Sequence, residues 1–198
     1  ITPLTSIDGC LALIKDGYKS KKLIDTSVEQ FTELKNRILN ILAFCEVMRG
    51  GVTYSMEQID LSVFLPKLAE SFVQDKNGKK IQYEIKCEGK NLFLDIERKH
   101  LEMIIGNLAD NAVEYNEGDG IEVRIGARRA GEKLEITVAD NGRGVPPEEY
   151  DRIFDNFYQI DKWFTGNIKG IGLGLAMVKQ LVTQRGGEIG VSSKLGQG

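Results

Sequence analysis

The chain has 198 residues, of which 41% are hydrophobic, and a formal net charge of −3. This length fits one large domain or two small ones, and the balance of charge predicts no broad basic surface for nucleic acid. The sequence contains no apolar run of 18 residues, so no membrane span is predicted, and no signal peptide is predicted before the first helix. Three widely spaced cysteines indicate reduced thiols. We therefore expect a cytoplasmic location, with any sensor or membrane anchor of a longer protein lying upstream.

Two helices are predicted in the first 51 residues. The first has apolar residues three and four positions apart, namely Leu4, Ile7, Leu11 and Ile14, and ends at Asp16-Gly17. The second begins near a possible capping box, Thr26-Ser-Val-Glu29. Its apolar seam has nearly heptad spacing and consists of Phe31, Leu34, Ile38, Ile41, Cys45 and Met48.

Two helices alone cannot bury both apolar seams. Pairing two copies of the chain into a four-helix bundle would bury them, which predicts a homodimer. The other interpretation, that both helices pack against the C-terminal domain of the same chain, stays open.

Gly50-Gly51 predicts a linker that divides the chain into residues 1–51 and residues 52–198. The elements predicted after it are a strand over Tyr54–Ile59, a helix from Asp60 or Ser62 to about Gln74 with Pro66 near its first turn, strands over Ile81–Ile85 and Leu92–Ile96, a helix over Glu97–Tyr115, a hairpin of Ile121–Ile125 and Leu134–Val138, a helix over Leu173–Gln184 ended by Gly186-Gly187, and a last strand over Ile189–Ser193.

Two glycine clusters and two asparagines predict a nucleotide site. Asp140-Asn141-Gly142-Arg143-Gly144 follows a strand, where an aspartate can accept a hydrogen bond from an exocyclic amine. Gly170–Leu175 opens a helix whose free N–H groups suit phosphate. Asn107 and Asn111 share one face of an earlier helix, and their oxygens suit Mg²⁺. Neither cluster fits a Walker loop or a dinucleotide fingerprint.

These segments resemble the N, G1, F and G2 boxes of sensor histidine kinases, in the family order. The four segments are Asn107–Tyr115, Asp140–Gly144, Ile153–Tyr158 and Gly170–Leu175. Thr2-Pro3-Leu4 is similar to the residues after the phospho-accepting histidine in the pattern H-E-x-x-T-P-L. The resemblance covers essentially the whole chain. It implies an α+β fold: a dimerising helical hairpin, then a Bergerat-type ATP-binding α/β sandwich of the gyrase, heat-shock chaperone, histidine kinase and MutL superfamily.

The resemblance implies ATP and Mg²⁺ as ligands. Asp140 would bind the adenine amine, Asn111 would supply an oxygen to Mg²⁺, and Asn107 would support the phosphate chain. The whole implied ATP-binding set is Asn107, Asn111, Tyr115, Asp140, Gly142, Gly144, Lys169, Gly170, Gly172, Leu173, Gly174 and Leu175. The plain alternatives are a turn-forming aspartate, solvated helix asparagines and a core tyrosine. Phe154 and Phe157 would anchor a mobile lid over Asp155–Lys169, or simply pack in the core.

The implied activity is that of a protein histidine kinase of a two-component system. A histidine three residues before Ile1 would be phosphorylated by ATP, and the aspartate of a response-regulator receiver domain would then take the phosphoryl group. Thr2 would position water in the phosphatase step, unless it is an ordinary residue at a helix start. His100, the one histidine of the chain, does not match the acceptor and is expected at the surface or in a helix cap.

Three positions depart from the family pattern. Glu114 and Gln159 stand where the family usually has cations, and Ile171 replaces a small hydroxyl residue. A carboxylate near polyphosphate is unfavourable, although Lys162, Lys169 or Arg143 could compensate. A degenerate kinase, acting as an ATP-binding regulator or phosphatase of its partner, is therefore the first alternative. An ATPase of the gyrase or chaperone branch is the second, and the helical hairpin opposes it.

Overall fold

The computed structural model describes residues 3–15, 21–49, 55–76, 78–116, 118, 120–160 and 170–198. Contacts divide the chain into two compact units, Ile1–Arg49 and Gly50–Gly198. The predictions made for Thr2, for the Gly50-Gly51 linker and for Lys162 and Lys169 fall outside the described residues. None of the helices that the structure describes combines the length and the apolar character needed to span a lipid bilayer.

The first unit contains helices α1 (Pro3–Lys15) and α2 (Lys21–Arg49), which contact each other. The capping box predicted at Thr26 is wrong, because α2 begins five residues earlier. Lys21, Lys22 and Leu23 are good helix formers and extend the helix upstream. Within that turn the Ser27 hydroxyl donates to the Leu23 carbonyl at 2.8 Å, as serine does inside helices.

Most of the apolar seam predicted on α2 is exposed within a single chain. Phe31 is 62% exposed and Ile38 is 50% exposed. The residues of α2 that are buried are Phe44 and Val47, at 9% and 7% exposure. One copy of this unit therefore leaves a long apolar helix face without cover from its own described residues.

The second unit contains the predicted elements other than the last strand in the predicted order, together with a short strand and a 3₁₀ helix that were not predicted. Its elements are β1 (Glu57–Asp60), α3 (Leu61–Ala69), β2 (Asp75–Lys76), β3 (Lys79–Glu88), β4 (Phe93–Ile96), α4 (Arg98–Glu114), β5 (Ile121–Ala130), β6 (Lys133–Asp140), a 3₁₀ helix (Pro147–Glu149) and α5 (Gly174–Thr183).

A four-stranded sheet of order β2-β3-β5-β6 forms one layer of this unit. β3 pairs with β5 in parallel, and β6 pairs with β5 antiparallel, with Val123 opposite Asp140. On β5 every second residue is buried, as expected for a strand with one face against helices. α3 contacts β3 and β5, while α4 contacts β5, β6 and α5. The result is a two-layer α/β sandwich in which β6 ends beside α4.

Two predicted elements differ in the structure. The first is α3, which ends at Ala69 instead of Gln74. Pro66 lies well inside this helix, whereas a position near its first turn was predicted. The N-cap is Asp60, whose carboxylate accepts a hydrogen bond from Ser62 N at 2.9 Å. Because that places Pro66 beyond the first turn, one helical hydrogen bond is lost shortly before the helix ends.

The last strand, predicted over Ile189–Ser193, is not part of a sheet. A strand forms when its backbone groups hydrogen bond to a neighbouring strand, whereas the backbone groups of Ser193 hydrogen bond to a side chain. Ser193 N donates to the Tyr150 hydroxyl at 3.0 Å, and that hydroxyl donates to Ser193 O at 2.7 Å. The alternation of Ile189 and Val191 alone could not reveal this partner.

Candidate nucleotide-binding site

The C-terminal half of α4 and the N-terminus of α5 meet at two asparagines and one glycine. A Cβ atom added at Gly174 would lie 3.0 Å from Asn107 Oδ1 and 3.8 Å from Asn111 Nδ2. Asn107 Nδ2 donates to the Met103 carbonyl at 2.7 Å, which directs its oxygen towards α5. Residues four apart on a helix lie on one face, and glycine is what allows the second helix to approach that face.

The segment after β6 brings Asp140 next to the end of α4. Asp140 Oδ1 accepts a hydrogen bond from Gly142 N at 2.8 Å, and a Cβ at Gly142 would lie 2.6 Å from the same oxygen. The Tyr115 carbonyl would be 3.4 Å from that Cβ. Asp140 is thus the turn-forming residue of the plain alternative, yet an ionised carboxylate has acceptor capacity beyond this one bond.

Tyr115 carries a cation on its ring. The Arg143 guanidinium carbon lies 5.1 Å from the centre of the Tyr115 ring, within cation–π range. Arg143 is therefore close to the last turn of α4, which also carries Glu114. Compensation of Glu114 by Arg143 stays a prediction.

Gly144 serves a different contact from the one expected of it. Its φ is +73°, and a Cβ there would lie 2.5 Å from the Lys194 carbonyl oxygen. Glycine is required because the C-terminal segment packs directly on this turn. A part for Gly144 in ATP binding stays a prediction.

The F-box and G2-box segments are joined through backbone groups. Phe157 N donates to Gly172 O at 2.8 Å, and a Cβ at Gly172 would lie 2.5 Å from the Tyr158 carbonyl oxygen. Phe157 itself has a positive φ of 61°, which is uncommon for an aromatic residue, and its side chain is 52% exposed. Tyr158 donates a short hydrogen bond to Glu149. Phe157 is therefore not a core residue, whereas Phe154, half-buried under the Lys179 ammonium, partly is.

The residues present fit a polyphosphate with a divalent cation. Leu173 at the N-cap of α5 has no polar side chain to occupy the first N–H groups of the helix. Within the described ranges, no three His, Cys, Asp or Glu side chains are grouped to hold a metal ion. A Mg²⁺ bound through one amide oxygen would take its remaining ligands from phosphate and water, as Mg²⁺ commonly does. Asn111 is the residue that would hold it.

The sequence reasoning missed two polar groupings. Asn116 and Asn141 hydrogen bond to each other beside Asp140, at 2.6 Å. At the other end of α4, the carboxylate of Glu97 is paired with His100 and Arg185. Of the two positions expected for His100, the surface and a helix cap, the structure favours the second, because its side chain is 13% exposed and its Nδ1 lies 3.1 Å from Oε2 of Glu97, the N-cap residue of α4. The one signal for this group was a glutamate just before an otherwise apolar helix stripe.

Glu97 has a shifted pKa. Burial raises the pKa of this carboxyl. The hydrogen bond from its own backbone N–H and the Arg185 guanidinium lower the pKa by more than burial raises it, so the net shift is downward. Glu97 lies ten residues before Asn107, about 15 Å along the helix axis. The ion cluster is therefore separate from the asparagines and glycines of the candidate site.

This arrangement of an asparagine-bearing helix, a D-x-G-x-G turn and a glycine-rich helix start defines an ATPase domain. The family model described as "Histidine kinase-, DNA gyrase B-, and HSP90-like ATPase" matches residues 96–198, just over half of the chain, so the chain belongs to this family. Within it the chain is homologous to sensor histidine kinases. It is 28% identical over its whole length to the alginate biosynthesis sensor protein KinB of Pseudomonas aeruginosa and to the sensor protein kinase WalK of Staphylococcus aureus.

The relatives are longer than this chain. It spans 33% of the length of KinB and 48% of the length of WalK. The crystal structure of full-length ShkA in complex with AMPPNP has a TM-score of 0.74 and 26% identity, over 99% of this chain and 41% of ShkA. The histidine kinase fold of the ATPase domain is therefore confirmed.

Proposed function

We propose that this chain is the core of an ATP-dependent sensor histidine kinase. It would transfer the γ-phosphoryl group of Mg-ATP to a histidine three residues before Ile1, releasing ADP. The aspartate of a response-regulator receiver domain would then accept the phosphoryl group. The helices of the first unit would form the dimerising hairpin, with residues 1–51 as one domain and residues 52–198 as the ATP-binding domain.

The observation that carries this proposal is the meeting of α4 with α5 at Asn107, Asn111 and Gly174. The Asn107 amide oxygen, the Asn111 amide and the uncapped N–H groups at the start of α5 lie side by side there, which suits a phosphate chain with a hard cation. Asp140, beside Tyr115 and Gly142, lies at the C-terminal end of the same helix and would take the adenine amine. A nucleotide bound in this direction would have its base near Tyr115 and its phosphates near Gly174.

Phosphoryl transfer depends on positioning and on stabilising negative charge more than on covalent chemistry from the protein. Asn111 would hold Mg²⁺ at the phosphates, and Asn107 would orient the phosphate chain. The glycines at 170, 172 and 174 would let backbone N–H groups approach the phosphates, with Leu173, Leu175 and Lys169 completing that side. None of these residues needs to accept a proton.

A homodimer is supported by the exposed apolar face of α2. Phe31, Ile38 and Ile41 are each more than 40% exposed, and a second copy could cover them in a four-helix bundle. Pairing two chains would also allow the histidine of one copy to meet the ATP of either. We expect sedimentation equilibrium to give twice the chain mass, and Ile38→Asp to shift it towards one chain mass.

Labelling with γ-³²P-ATP and Mg²⁺ tests the proposed reaction. The chain is extended upstream to include the expected histidine, and acid-labile label on the protein is measured. We expect label in the extended chain and none after that histidine is replaced by alanine. Asn111→Ala should lose most of the label. Its matched control is Asn36→Ala, which truncates an exposed asparagine on α2 and should keep the label. Label that survives loss of the histidine contradicts the proposal.

A second candidate function is favoured by the two missing cations. Glu114 and Gln159 are half-buried, so the negative charge of Glu114 would be only partly screened by solvent, and the neutral amide of Gln159 would supply no positive charge to bound phosphates. A degenerate kinase would bind ATP but act as a regulator or phosphatase, with Thr2 positioning water. ATP binding without any label on the extended chain, together with faster dephosphorylation of a receiver domain, would favour this function.

A further inference from the structure

Two asparagines to which the nucleotide motifs assign no role, Asn116 and Asn141, form a hydrogen-bond network beside Asp140 in which Asn116 is buried and Asn141 is exposed. Asn116 follows the last turn of α4 and is 7% exposed. Its Nδ2 donates to Asn141 Oδ1 at 2.6 Å, and its Oδ1 accepts from Gly118 N at 3.0 Å. A buried amide with both ends hydrogen bonded is a rigid feature, since breaking either bond leaves a polar group unsatisfied.

Asn141 connects three elements at once. Its Oδ1 also accepts from Glu122 N at 2.9 Å, at the start of β5, and its Nδ2 donates to Gly120 O at 3.1 Å. The end of α4, the start of β5 and the end of β6 are thereby joined through one side chain. Asn141 is bonded in sequence to Asp140, so this junction fixes the backbone that carries the aspartate.

We propose that Asn116 and Asn141 are positioning residues that hold Asp140 for recognition of an adenine base, and so set the preference of the site for adenine nucleotides. This inference rests on the proposed nucleotide site. Displacement of a recognition group by about 1 Å is enough to weaken a directional hydrogen bond strongly. Asp140 Oδ1 is already fixed by Gly142 N, and Asn116 Cα lies 3.6 Å from the Cβ position of Gly142. The network therefore packs directly under the turn that orients the carboxylate.

The same geometry separates base recognition from phosphate binding. The phosphate side is formed by Asn107 and Gly174, and Asn107 lies seven residues before the end of α4, about 10 Å along the helix axis, with Asn116 two residues beyond that end. No hydrogen bond described for Asn116 or Asn141 reaches α5. A change at the network should alter binding of the base much more than binding of a triphosphate.

Isosteric and truncating variants test the proposal in the full 198-residue chain. Asn116→Asp keeps the shape but replaces the donor at Nδ2 by an oxygen, which faces Asn141 Oδ1 at 2.6 Å. Asn141→Ala removes all three hydrogen bonds of that side chain. Asn36→Asp and Asn36→Ala make the same chemical changes on an exposed face of α2. Dissociation constants for ATP, GTP and inorganic triphosphate are measured by calorimetry with Mg²⁺, and the melting temperature of each unliganded variant is recorded.

We expect both network variants to weaken ATP binding about tenfold while triphosphate binding changes by less than about twofold, so that the preference for ATP over GTP falls. The Asn36 variants should match the wild type. Equal weakening of all three ligands, or an unchanged preference for ATP, overturns the inference and leaves the network a purely structural one. If Asn116→Asp does not fold, Asn141→Ala decides. A wild-type chain that binds ATP no better than triphosphate contradicts the proposed function itself.

Discussion

The two ends of the α4–α5 pair are built in opposite ways. Where α4 begins and α5 ends, the buried carboxylate of Glu97 is paired with Arg185 and His100, and a Schellman motif at Gly186 and Gly187 closes α5. Where the C-terminal half of α4 meets the start of α5, the contact among the described residues is made by the asparagines Asn107 and Asn111 and by Gly174 and not by a buried ion pair. At the end where α4 begins and α5 ends, which we call the closed end, charges are satisfied within the protein. At the end where α4 ends and α5 begins, which we call the open end, backbone N–H groups remain for a ligand. We therefore expect substitutions at the closed end to change stability and substitutions at the open end to change binding.

The largest expected effect is that of Asn111→Ala at the open end. Removing the amide oxygen proposed for Mg²⁺ should lower the rate of label incorporation about 100-fold, because metal ions stabilise the charge of transferring phosphoryl groups by several kcal/mol. The free energy of unfolding without nucleotide should change by less than about 1 kcal/mol, since surface-accessible side chains contribute little. Label incorporation and urea titrations measure the two quantities. A large loss of stability with unchanged labelling would contradict the account.

Gly172→Ala should disrupt the connection between the F-box and G2-box segments. Both Gly170 and Gly172 have a φ of +74°, but among the described residues only Gly172 has backbone that the new methyl group would meet, 2.5 Å from Tyr158 O. Gly170→Ala is therefore the matched control, because it introduces only the backbone strain of a positive φ, which costs about 1–2 kcal/mol. We expect Gly172→Ala to lose clearly more ATP affinity than Gly170→Ala in calorimetry. Equal losses would mean that the segment contact does not shape the site.

Arg185→Ala should act on stability alone, at the closed end. It leaves the buried Glu97 carboxylate without its strongest partner, at a cost of about 2 kcal/mol, less than for fully buried pairs because Arg185 is 37% exposed. Lys133→Ala breaks an ion pair with Glu188 that is exposed on both sides and should cost less than about 0.5 kcal/mol. Urea unfolding measures both variants. ATP affinity of folded Arg185→Ala should equal that of the wild type, and a loss there would erase the distinction between the two ends.

The same cluster predicts a dependence of stability on pH. The pKa of Glu97 is lowered from its ordinary value of 4.5, so the unfolded chain binds more protons between the two pKa values. The contribution of Glu97 is therefore present above about pH 4.5 and is lost as the pH falls through the pKa of the folded state. Unfolding free energies of the wild type and of Glu97→Gln, measured from pH 7 to pH 3, should converge at the acid end. Parallel curves would show that Glu97 does not titrate with folding.

Glu114→Lys should give the smallest effect. Restoring a cation near the phosphates should raise ATP affinity a few-fold, within the range of partly solvated charge pairs, and should raise the rate of labelling. The measurement is again calorimetry with Mg-ATP, with Glu132→Lys on the exposed turn between β5 and β6 as the matched control for the change of charge. Unchanged affinity and unchanged turnover would mean that Glu114 does not disfavour the polyphosphate.

Much of the second unit follows from its sequence, because its patterns are local. Alternating residues predicted β3, β5 and β6, and the apolar stripe from Leu101 to Tyr115 predicted α4 within a residue at each end. The glycine positions predicted close backbone approaches, since close approach and positive φ favour this residue type, and the nucleotide site that they indicate stays a prediction. The family model matches residues 96–198, the range that contains these motifs.

The parts that could not be predicted depend on partners distant in sequence. Glu97 meets Arg185 only when α4 and α5 pack together, and Asn116 meets Asn141 across 25 positions. Ser193 lacks a strand partner and pairs with Tyr150 instead, which no alternation of side chains encodes. The start of α2 was misplaced because a capping pattern is also compatible with the middle of a helix when good helix formers precede it.

Backbone amide chemical shifts, followed by NMR as Mg-ATP is added to the 198-residue chain, test the difference between the two ends most directly. We expect the signals of Gly142, Gly172 and Gly174 to shift and saturate with ATP, while those of His100 and Arg185 stay within the line width. Shifts concentrated at His100 and Arg185, or no saturable shift at the glycines, would contradict the placement of the nucleotide at the open end of the α4–α5 pair.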